Sequence, residues 1–216
     1  MGTAQMSQRG RQTMQRLRIA AREAFAEMGW QGTRVQDIAE RAGVSHGTFY
    51  TYYDNRNAVL IDLVTDTMAA FIELVSQPWE GEDPRTAVET VIGGFLDTYE
   101  ADGQVMRTWL QASREEPEFG ALYLDLRQRF VDRITEQLDV VVDAAGRRGA
   151  VPPTETVASV LAAMVEHFAY CRSVLGEKHD REDATDSLVL VWGSAINALA
   201  GFQVMRTELS DGDGSA

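Results

Sequence analysis

Residues 33–56 read TRVQDIAERAGVSHGTFYTYYDNR, two short apolar segments joined by a tight turn. Apolar side chains recur at helical spacing before and after the short segment Gly43-Val44-Ser45. Gly43 can end a helix in the left-handed conformation, Val44 can fill the corner, and Ser45 can cap the next helix with its hydroxyl. The pattern predicts a helix-turn-helix whose second helix presents polar and aromatic side chains outward.

The run from Asp37 to Tyr52 reads D-I-A-x-x-A-G-V-S-x-G-T-F-Y-x-Y and resembles the DNA-binding segment of the TetR family of bacterial transcriptional regulators. The clear resemblance covers roughly the first sixty residues, and beyond them it is one of layout. It implies an N-terminal three-helix DNA-binding head on a larger helical body that binds a small molecule and forms a homodimer. The implied partners are an inverted-repeat operator in double-stranded DNA and a lipophilic effector.

The resemblance also implies which side chains meet DNA. The second helix would enter the major groove with its first turns nearest the base edges, while Phe49 and Tyr53 would face the core of the head. Thr33 with Gln36 forms a T-x-x-Q pattern that predicts a capping box. Arg34 has two open interpretations, a phosphate ligand or a solvated side chain. The predicted DNA-contacting residues are Thr33, Arg34, Ser45, His46, Gly47, Thr48, Tyr50, Thr51, Tyr52 and Arg56.

The charge distribution agrees with a DNA-binding head. The whole chain carries a net charge of −13, which by itself argues against a nucleic-acid partner. Residues 1–57, however, hold eight arginines against five acidic residues, a net charge of +3, so that the remainder carries −16. A basic head on an acidic body would let DNA approach from one side.

The composition predicts a globular cytoplasmic protein. A single cysteine among 216 residues excludes an internal disulfide, and the polar start of the chain does not match a secretory signal. The most apolar run, residues 188–202, is shorter than a membrane span, so no membrane partner is expected.

Hydrophobic periodicity predicts an all-α fold, because no stretch shows the alternation that strands require. The predicted units are a disordered arm over residues 1–12, a DNA-binding domain within 1–57, an effector-binding and dimerisation domain over 58–209, and a disordered tail over 210–216. The predicted helices run from near Thr13 to Gly29 and, after the helix-turn-helix, over 55–77, 85–100, 104–113, 118–145, 154–175 and 184–206.

Large aromatic and amphipathic side chains are concentrated on the helices of the body. Ordinary core packing explains each of them singly, but an all-α body with this many aromatics can equally enclose an apolar ligand cavity. The predicted lining residues are Phe95, Tyr99, Met106, Trp109, Leu110, Tyr123, Met164, His167, Phe168 and Cys171.

The last two helices carry apolar residues on more than one side, which indicates that they face both the core and a partner. Gly193, Asn197 and Gly201 recur every four residues and would let two helices approach closely, whereas a tightly packed monomer is the alternative. The predicted dimer contacts are Val165, Leu190, Gly193, Asn197 and Gly201.

No catalytic or metal-binding constellation is recognisable in the sequence, so no cofactor and no enzymatic activity are predicted. His167 and Cys171 share a helix face, but a core histidine beside a thiol explains them better than a metal site. The predicted function is ligand-responsive transcriptional regulation, in the form of repression. Two alternatives stay open: an architectural DNA-binding protein without an effector, and an enzyme or carrier with an appended DNA-binding head.

Overall fold

The structure is a computed structural model that describes residues 7–76 and 84–201. Within these residues it contains helices and no strand, which confirms the all-α prediction. The helices are α1 Gln8–Gly32, α2 Val35–Arg41, α3 His46–Tyr50, α4 Arg56–Ser76, α5 Pro84–Glu115, α6 Pro117–Ala144, α7 Thr154–Ser173 and α8 Arg181–Ala200.

Helix α1 begins earlier than the sequence suggested. The Ser7 hydroxyl accepts from the backbone N–H of Gly10 at 3.1 Å and caps the helix, and Gly10, Thr13 and Leu17 are buried along one side. The predicted start near Thr13 is therefore wrong, and so is the predicted disorder of residues 7–12; residues 1–6 lie outside the described part. Gly29, with φ of 68°, breaks the helix where the sequence predicted its end.

Helix α5 is continuous, so the predicted break between residues 100 and 104 is wrong. Asp102 accepts from the hydroxyl of Thr67 at 2.7 Å and also pairs with Arg22. Gly103 is buried, and a Cβ there would lie 3.4 Å from Cβ of Ser173 on α7. Tertiary contacts thus keep α5 continuous through Gly103, although a glycine inside a helix costs roughly 0.5–1 kcal/mol of stability relative to alanine.

The predictions for α4 and α6 agree with the structure to within a residue at each end. Asn55 caps α4 as expected, accepting from the N–H of Ala58 at 2.9 Å. Helix α8 begins before the predicted residue 184 because Asp180 caps it, accepting from the N–H of Glu182 at 2.8 Å. Gly201, in the left-handed conformation with φ of 90°, ends α8, and the predicted continuation over 202–206 and the tail over 210–216 lie outside the described residues.

Helix α4 joins the two parts of the molecule and packs against α5 and α6 in the body. Helix α1 packs on α2 in the head and also on α5. Arg18 of α1 pairs with Asp62 at 3.1 Å and with Asp66 on α4. The head is therefore tied to the body by packing and by charge along both α1 and α4.

Candidate functional site

The start of α2 differs from the predicted capping box. The Thr33 side chain is 0% exposed, and its hydroxyl donates to the carbonyls of Gly29 at 2.8 Å and Ala24 at 3.2 Å. Arg34 is the N-cap residue, and its N–H donates to Asp37 Oδ2 at 2.8 Å. Thr33 therefore neither caps α2 nor reaches the surface, and its prediction as a DNA contact is wrong.

The turn between α2 and α3 has the predicted geometry. Gly43 adopts φ of 63°, and the backbone N–H of Val44 donates to the carbonyl of Ala39 at 3.0 Å. The Ser45 hydroxyl accepts from the N–H of Thr48 at 3.0 Å and caps α3. Since the hydroxyls of Ser45 and Thr48 also lie 2.8 Å apart, the start of α3 is held from both the main chain and the side chains.

Phe49 and Tyr53 face the core of the head, as predicted. Phe49 is fully buried and packs against Tyr53 with 5.9 Å between ring centroids. The phenol of Tyr53 donates to Asp62 Oδ2 at 2.7 Å, and its pKa is raised, mainly by burial and then by this carboxylate. A hydrogen bond therefore links the end of the α3 segment directly to α4.

The outward side of α3 is a compact polar and aromatic surface. Ser45, His46, Gly47, Tyr50 and Thr51 are exposed, whereas Thr48 and Tyr52 are half-buried. Tyr50 is 49% exposed, and its ring meets that of His46 edge-on at 5.0 Å. The two rings thus contact each other, and both side chains remain exposed to solvent.

The two arginines predicted at the DNA surface lie in different environments. Arg34 is exposed at the start of α2. Arg56 instead points into the head, where Nη1 donates to the carbonyls of Trp30 and Thr33, each at 2.7 Å. Its guanidinium also lies 4.1 Å from the centre of the Trp30 ring. The prediction of Arg56 as a phosphate ligand is therefore corrected to a role inside the head.

Helices α4, α5, α6 and α7 enclose a cavity of about 400 Å³ in the body. Six of the residues predicted to line a cavity do so: Phe95, Tyr99, Met106, Leu110, Tyr123 and His167.

The other four predicted residues do not line the cavity. Trp109 is fully buried and packs edge-on against Tyr123, with ring centroids 5.2 Å apart. Phe168 packs against His179 at 5.4 Å, and Cys171 lies 3.6 Å from Nε2 of His167. Met164 packs half-buried against the core. For these four residues the prediction is corrected to ordinary packing, because periodicity identifies an apolar face but not which part of it borders a void.

The cavity has lining residues that the sequence analysis missed. Part of the apolar wall consists of Met68, Phe71 and Phe130. The ring of Phe71 stacks on that of Phe95 with 4.2 Å between ring centroids. Met68 and Phe71 did stand out as apolar positions of a long helix. The remaining missed residues are Arg107, Gln111, Arg114, Arg127, Ala163, Glu166 and Tyr170, and no periodic signal marks the polar ones.

Burial controls the protonation of the polar cavity groups. Desolvation raises the pKa of Glu166, partly offset by Arg127, whose Nε lies 3.3 Å from the carboxylate. Arg127 also donates to the carbonyl of Ser159 at 3.1 Å, which fixes its position. Burial likewise raises the pKa values of Tyr99 and Tyr123 above the ordinary value of 10.0, which further favours the neutral phenols.

The comparisons with known proteins match both parts of the chain. Residues 18–63 match the model of bacterial regulatory proteins of the tetR family. Residues 88–198, just over half of the chain, match the C-terminal domain of the transcriptional regulator EthR. The chain belongs to the TetR family. It is a DNA-binding transcriptional regulator, as the helix-turn-helix sequence predicted.

Individual TetR relatives agree with this assignment. EthR of Mycobacterium tuberculosis is 28% identical over 170 residues, which cover 75% of this chain and 76% of EthR. BetI of Stenotrophomonas maltophilia is 25% identical over 165 residues, or 74% of this chain and 81% of BetI. The crystal structure of FadR from Bacillus subtilis in complex with stearoyl-CoA superposes with a TM-score of 0.66 at 20% identity, covering 88% of this chain and 98% of that one.

The α8 face that was predicted to form the TetR dimer is only partly as expected. Leu190 is 68% exposed, Asn197 is exposed, and a Cβ added to Gly193 would meet no atom within 4 Å. Gly201 is the cap that ends α8 and not a helical position. Val165 is buried inside the protomer, so its prediction as a dimer contact is wrong.

Among residues 7–76 and 84–201, no group of three or more potential ligands is arranged to hold a metal ion. The thiol of Cys171 and the ring of His167 contact each other directly. The same residues include no helix whose length and hydropathy would suit a membrane span.

Proposed function

We propose that this TetR protein is a repressor that binds an inverted-repeat operator as a homodimer and is released by a lipophilic small molecule. The observation that carries the proposal is the course of α4. This helix starts at Arg56, which is bonded into the head, and twelve residues later places Met68 in the cavity wall. A ligand in the cavity would therefore touch the same rigid element that supports the helix-turn-helix. We place the boundary between the DNA-binding head and the body after residue 57.

On the DNA side, α3 is the element that reads the operator. His46, Gly47 and Tyr50 would lie nearest the base edges of the major groove, because they form the exposed first turns of α3. Thr48, Thr51 and Tyr52 carry hydroxyls suited to phosphates. Arg34 and the helix cap Ser45 are also exposed and would be open to phosphates.

The dimer would form through α7 and α8. Leu190 on α8 and Val160 on α7 are 68% and 63% exposed, so both helices offer apolar surface to a partner. Gly193 leaves room for a helix of the second subunit. Association of two such faces would bury this apolar surface and relate two heads by a two-fold axis, as an inverted repeat requires.

The effector would be lipophilic because the cavity wall is built from aromatic and methionine side chains. Phe71, Phe95 and Phe130 pack within 6.4 Å of one another, and Met68 and Met106 are adaptable neighbours. The stearoyl-CoA complex of the similar FadR supports an acyl chain as one type of occupant. Binding would release DNA only if the ligand prefers the conformation that does not bind DNA.

Footprinting on the DNA flanking the gene tests the proposal, first without a ligand and then after a thermal-shift screen of lipophilic metabolites. We expect a protected inverted repeat whose protection is lost when a stabilising metabolite is added. Tyr50→Ala should lose sequence preference, whereas Tyr50→Phe, which retains the ring contact with His46, should keep most of it. Protection without dyad symmetry, or unchanged by every stabilising metabolite, would argue for the architectural alternative.

A further inference from the structure

We propose that the effector is an amphipathic anion, with its negatively charged head at Arg107 and Arg114 and its apolar tail against Phe71, Phe95 and Phe130. This inference rests on the proposed function, since it specifies what the cavity binds. The supporting observation is that two arginines at the cavity lack ion-pair partners among the described residues, whereas most arginines of the body have them.

Most arginines of the body are paired with carboxylates. Of the ten arginines between residues 84 and 201, seven form ion pairs with carboxylates. The side chains of the other three form no ion pair or hydrogen bond within the described residues: Arg107, Arg114 and Arg147. Two of these three line the cavity. In a region that is strongly acidic as a whole, two of the three unpaired arginines thus lie at the cavity.

Acidic side chains at the cavity do not cancel this charge. Glu166 is the one carboxylate among the described lining residues, and it is paired with Arg127 at 3.3 Å. Arg107 and Arg114 therefore remain as two free positive charges at the cavity, and both are exposed enough to be solvated until a ligand arrives. An anion would gain charge-assisted hydrogen bonds there, whereas a cation would be repelled.

The two arginines are placed to act on one group. They stand seven residues apart on α5, so two helical turns, or about 10.5 Å, separate them along one face of the helix. Arginine side chains are long enough to converge across that distance. Their planar guanidinium groups match carboxylate and phosphate oxygens in pairs.

Apolar walls continue from the positively charged region into the body. Met106 stands one residue before Arg107 on α5, and the wall then passes to the stacked pair of Phe95 and Phe71, 4.2 Å apart. A molecule with charge at one end and hydrocarbon at the other satisfies both regions. A purely apolar ligand would leave the arginines unused, and a small inorganic anion would leave the aromatic wall unfilled.

The test uses three probes that share a ten-carbon chain and differ in charge: decanoate, 1-decanol and decylamine. Binding to the full-length protein is measured by isothermal titration calorimetry at low and high salt. We expect decanoate to bind at least about fivefold more tightly than decanol, and decylamine to bind most weakly. The decanoate advantage should shrink with added salt, because exposed charges are screened.

Variants locate the charge. Arg107→Gln and Arg114→Gln should each weaken decanoate about threefold to tenfold and leave decanol unchanged. Arg147→Gln is the control, because it also removes an arginine whose side chain has no ion pair within the described residues, and Arg147 does not line the cavity. Circular dichroism melting of all three variants establishes that they fold.

The outcomes separate this inference from the proposed function. If decanol binds as tightly as decanoate and the two cavity variants change neither, the anionic preference is overturned while the lipophilic cavity stands. If none of the three probes binds, both the inference and the effector-binding cavity are overturned. A decanoate advantage that Arg147→Gln removes as effectively as Arg114→Gln would also overturn the inference, because the effect would then be one of net charge.

Discussion

The guanidinium of Arg56 lies 4.1 Å from the ring centre of Trp30 and donates to the Trp30 carbonyl at 2.7 Å. Trp30 follows the break at Gly29 and packs edge-on against Phe119 of α6, with 5.3 Å between centroids. Arg56 is the first residue of α4. The pair therefore joins the end of α1, the start of α4 and the body at one point.

Arg56→Lys should destabilise the head more than it weakens phosphate binding. A lysine keeps the charge but cannot donate in the same fork to two carbonyls while stacking on the indole. Loss of one partly buried charged hydrogen bond and the cation–π contact corresponds to about 1–3 kcal/mol. Thermal unfolding followed by circular dichroism should show a lower midpoint, while the dependence of log K on log salt for operator binding keeps its slope.

Arg34→Gln serves as the comparison, since Arg34 is exposed on the head. It should leave the unfolding midpoint nearly unchanged and, if Arg34 binds a phosphate, reduce the salt slope by about one. An unfolding midpoint of Arg56→Lys that equals the parent's would contradict the role of Arg56 inside the head.

Gly193→Leu should abolish the dimer without unfolding the protomer. The structure leaves open space around a Cβ at Gly193, so a leucine fits the isolated chain. Between two closely packed helices the same side chain would overpack the interface, which typically costs about 1–3 kcal/mol. Sedimentation should show a shift from dimer to monomer, and operator affinity should fall because both heads are needed.

Gly94→Leu is the contrasting variant, because Gly94 is closely packed inside the protomer. A Cβ at Gly94 would lie 2.6 Å from Cδ2 of Leu74, so Gly94→Leu should lower the unfolding midpoint. If Gly193→Leu leaves a parent dimer intact in the ultracentrifuge, this part of α8 does not form the interface.

Glu166→Gln should change how stability depends on pH. Burial raises the pKa of Glu166 in the folded protein above its ordinary value of 4.5, so the folded state holds this proton more tightly than the unfolded state. Stability from this group is present below that ordinary value and is lost as the pH rises through the raised value. The variant lacks this loss, and its unfolding midpoint relative to the parent should rise as the pH increases from the ordinary value of 4.5 through the raised pKa.

The control for this measurement is Glu155→Gln, which alters an exposed carboxylate on the same helix. Subtracting the parent's curve removes the contribution of all other groups. A midpoint difference for Glu166→Gln that is flat across this pH range would contradict the raised pKa.

The sequence predicted the features that depend on local chemistry and missed those that depend on distant partners. Gly43, Ser45 and Phe49 have their expected roles because turn, cap and core positions follow from the chain itself. Thr33 was misread because its hydroxyl finds carbonyls of α1, which no local pattern encodes.

The cavity residues show the same contrast between what the local sequence predicts and what depends on distant contacts. Aromatic content identified Phe95 and Tyr99, but Trp109, equally aromatic, is fully buried in packing. Its replacement by alanine should therefore cost about 3–5 kcal/mol of stability and is unsuitable as a probe of ligand binding. Arg107 and Arg114 at the cavity have no periodic signal in the sequence. They matter because no carboxylate among the described residues pairs with them, and only the folded structure reveals this.

Gln111 contacts both the cavity and the head. Its side chain lines the cavity, and Oε1 accepts from the backbone N–H of Trp30 at 3.4 Å. Through Trp30 it lies one residue from the Gly29 break and one contact from Arg56. A ligand that displaces the Gln111 amide would therefore release a backbone hydrogen bond at the junction of α1 with the body.

Gln111→Ala should reduce the coupling between ligand and DNA more than either affinity alone. The coupling factor is the ratio of operator affinities without and with ligand, and the same factor describes the effect of DNA on ligand binding. Residues that transmit such coupling typically change it by about 0.5–2 kcal/mol, or roughly 2-fold to 30-fold. Gln104→Ala is the matched control, because Gln104 lies two turns earlier on α5 and does not line the cavity. Fluorescence anisotropy of labelled operator, titrated at several ligand concentrations, gives the factor for each protein. An unchanged factor in Gln111→Ala, with weaker ligand binding alone, would make Gln111 a cavity wall and not a link to the head.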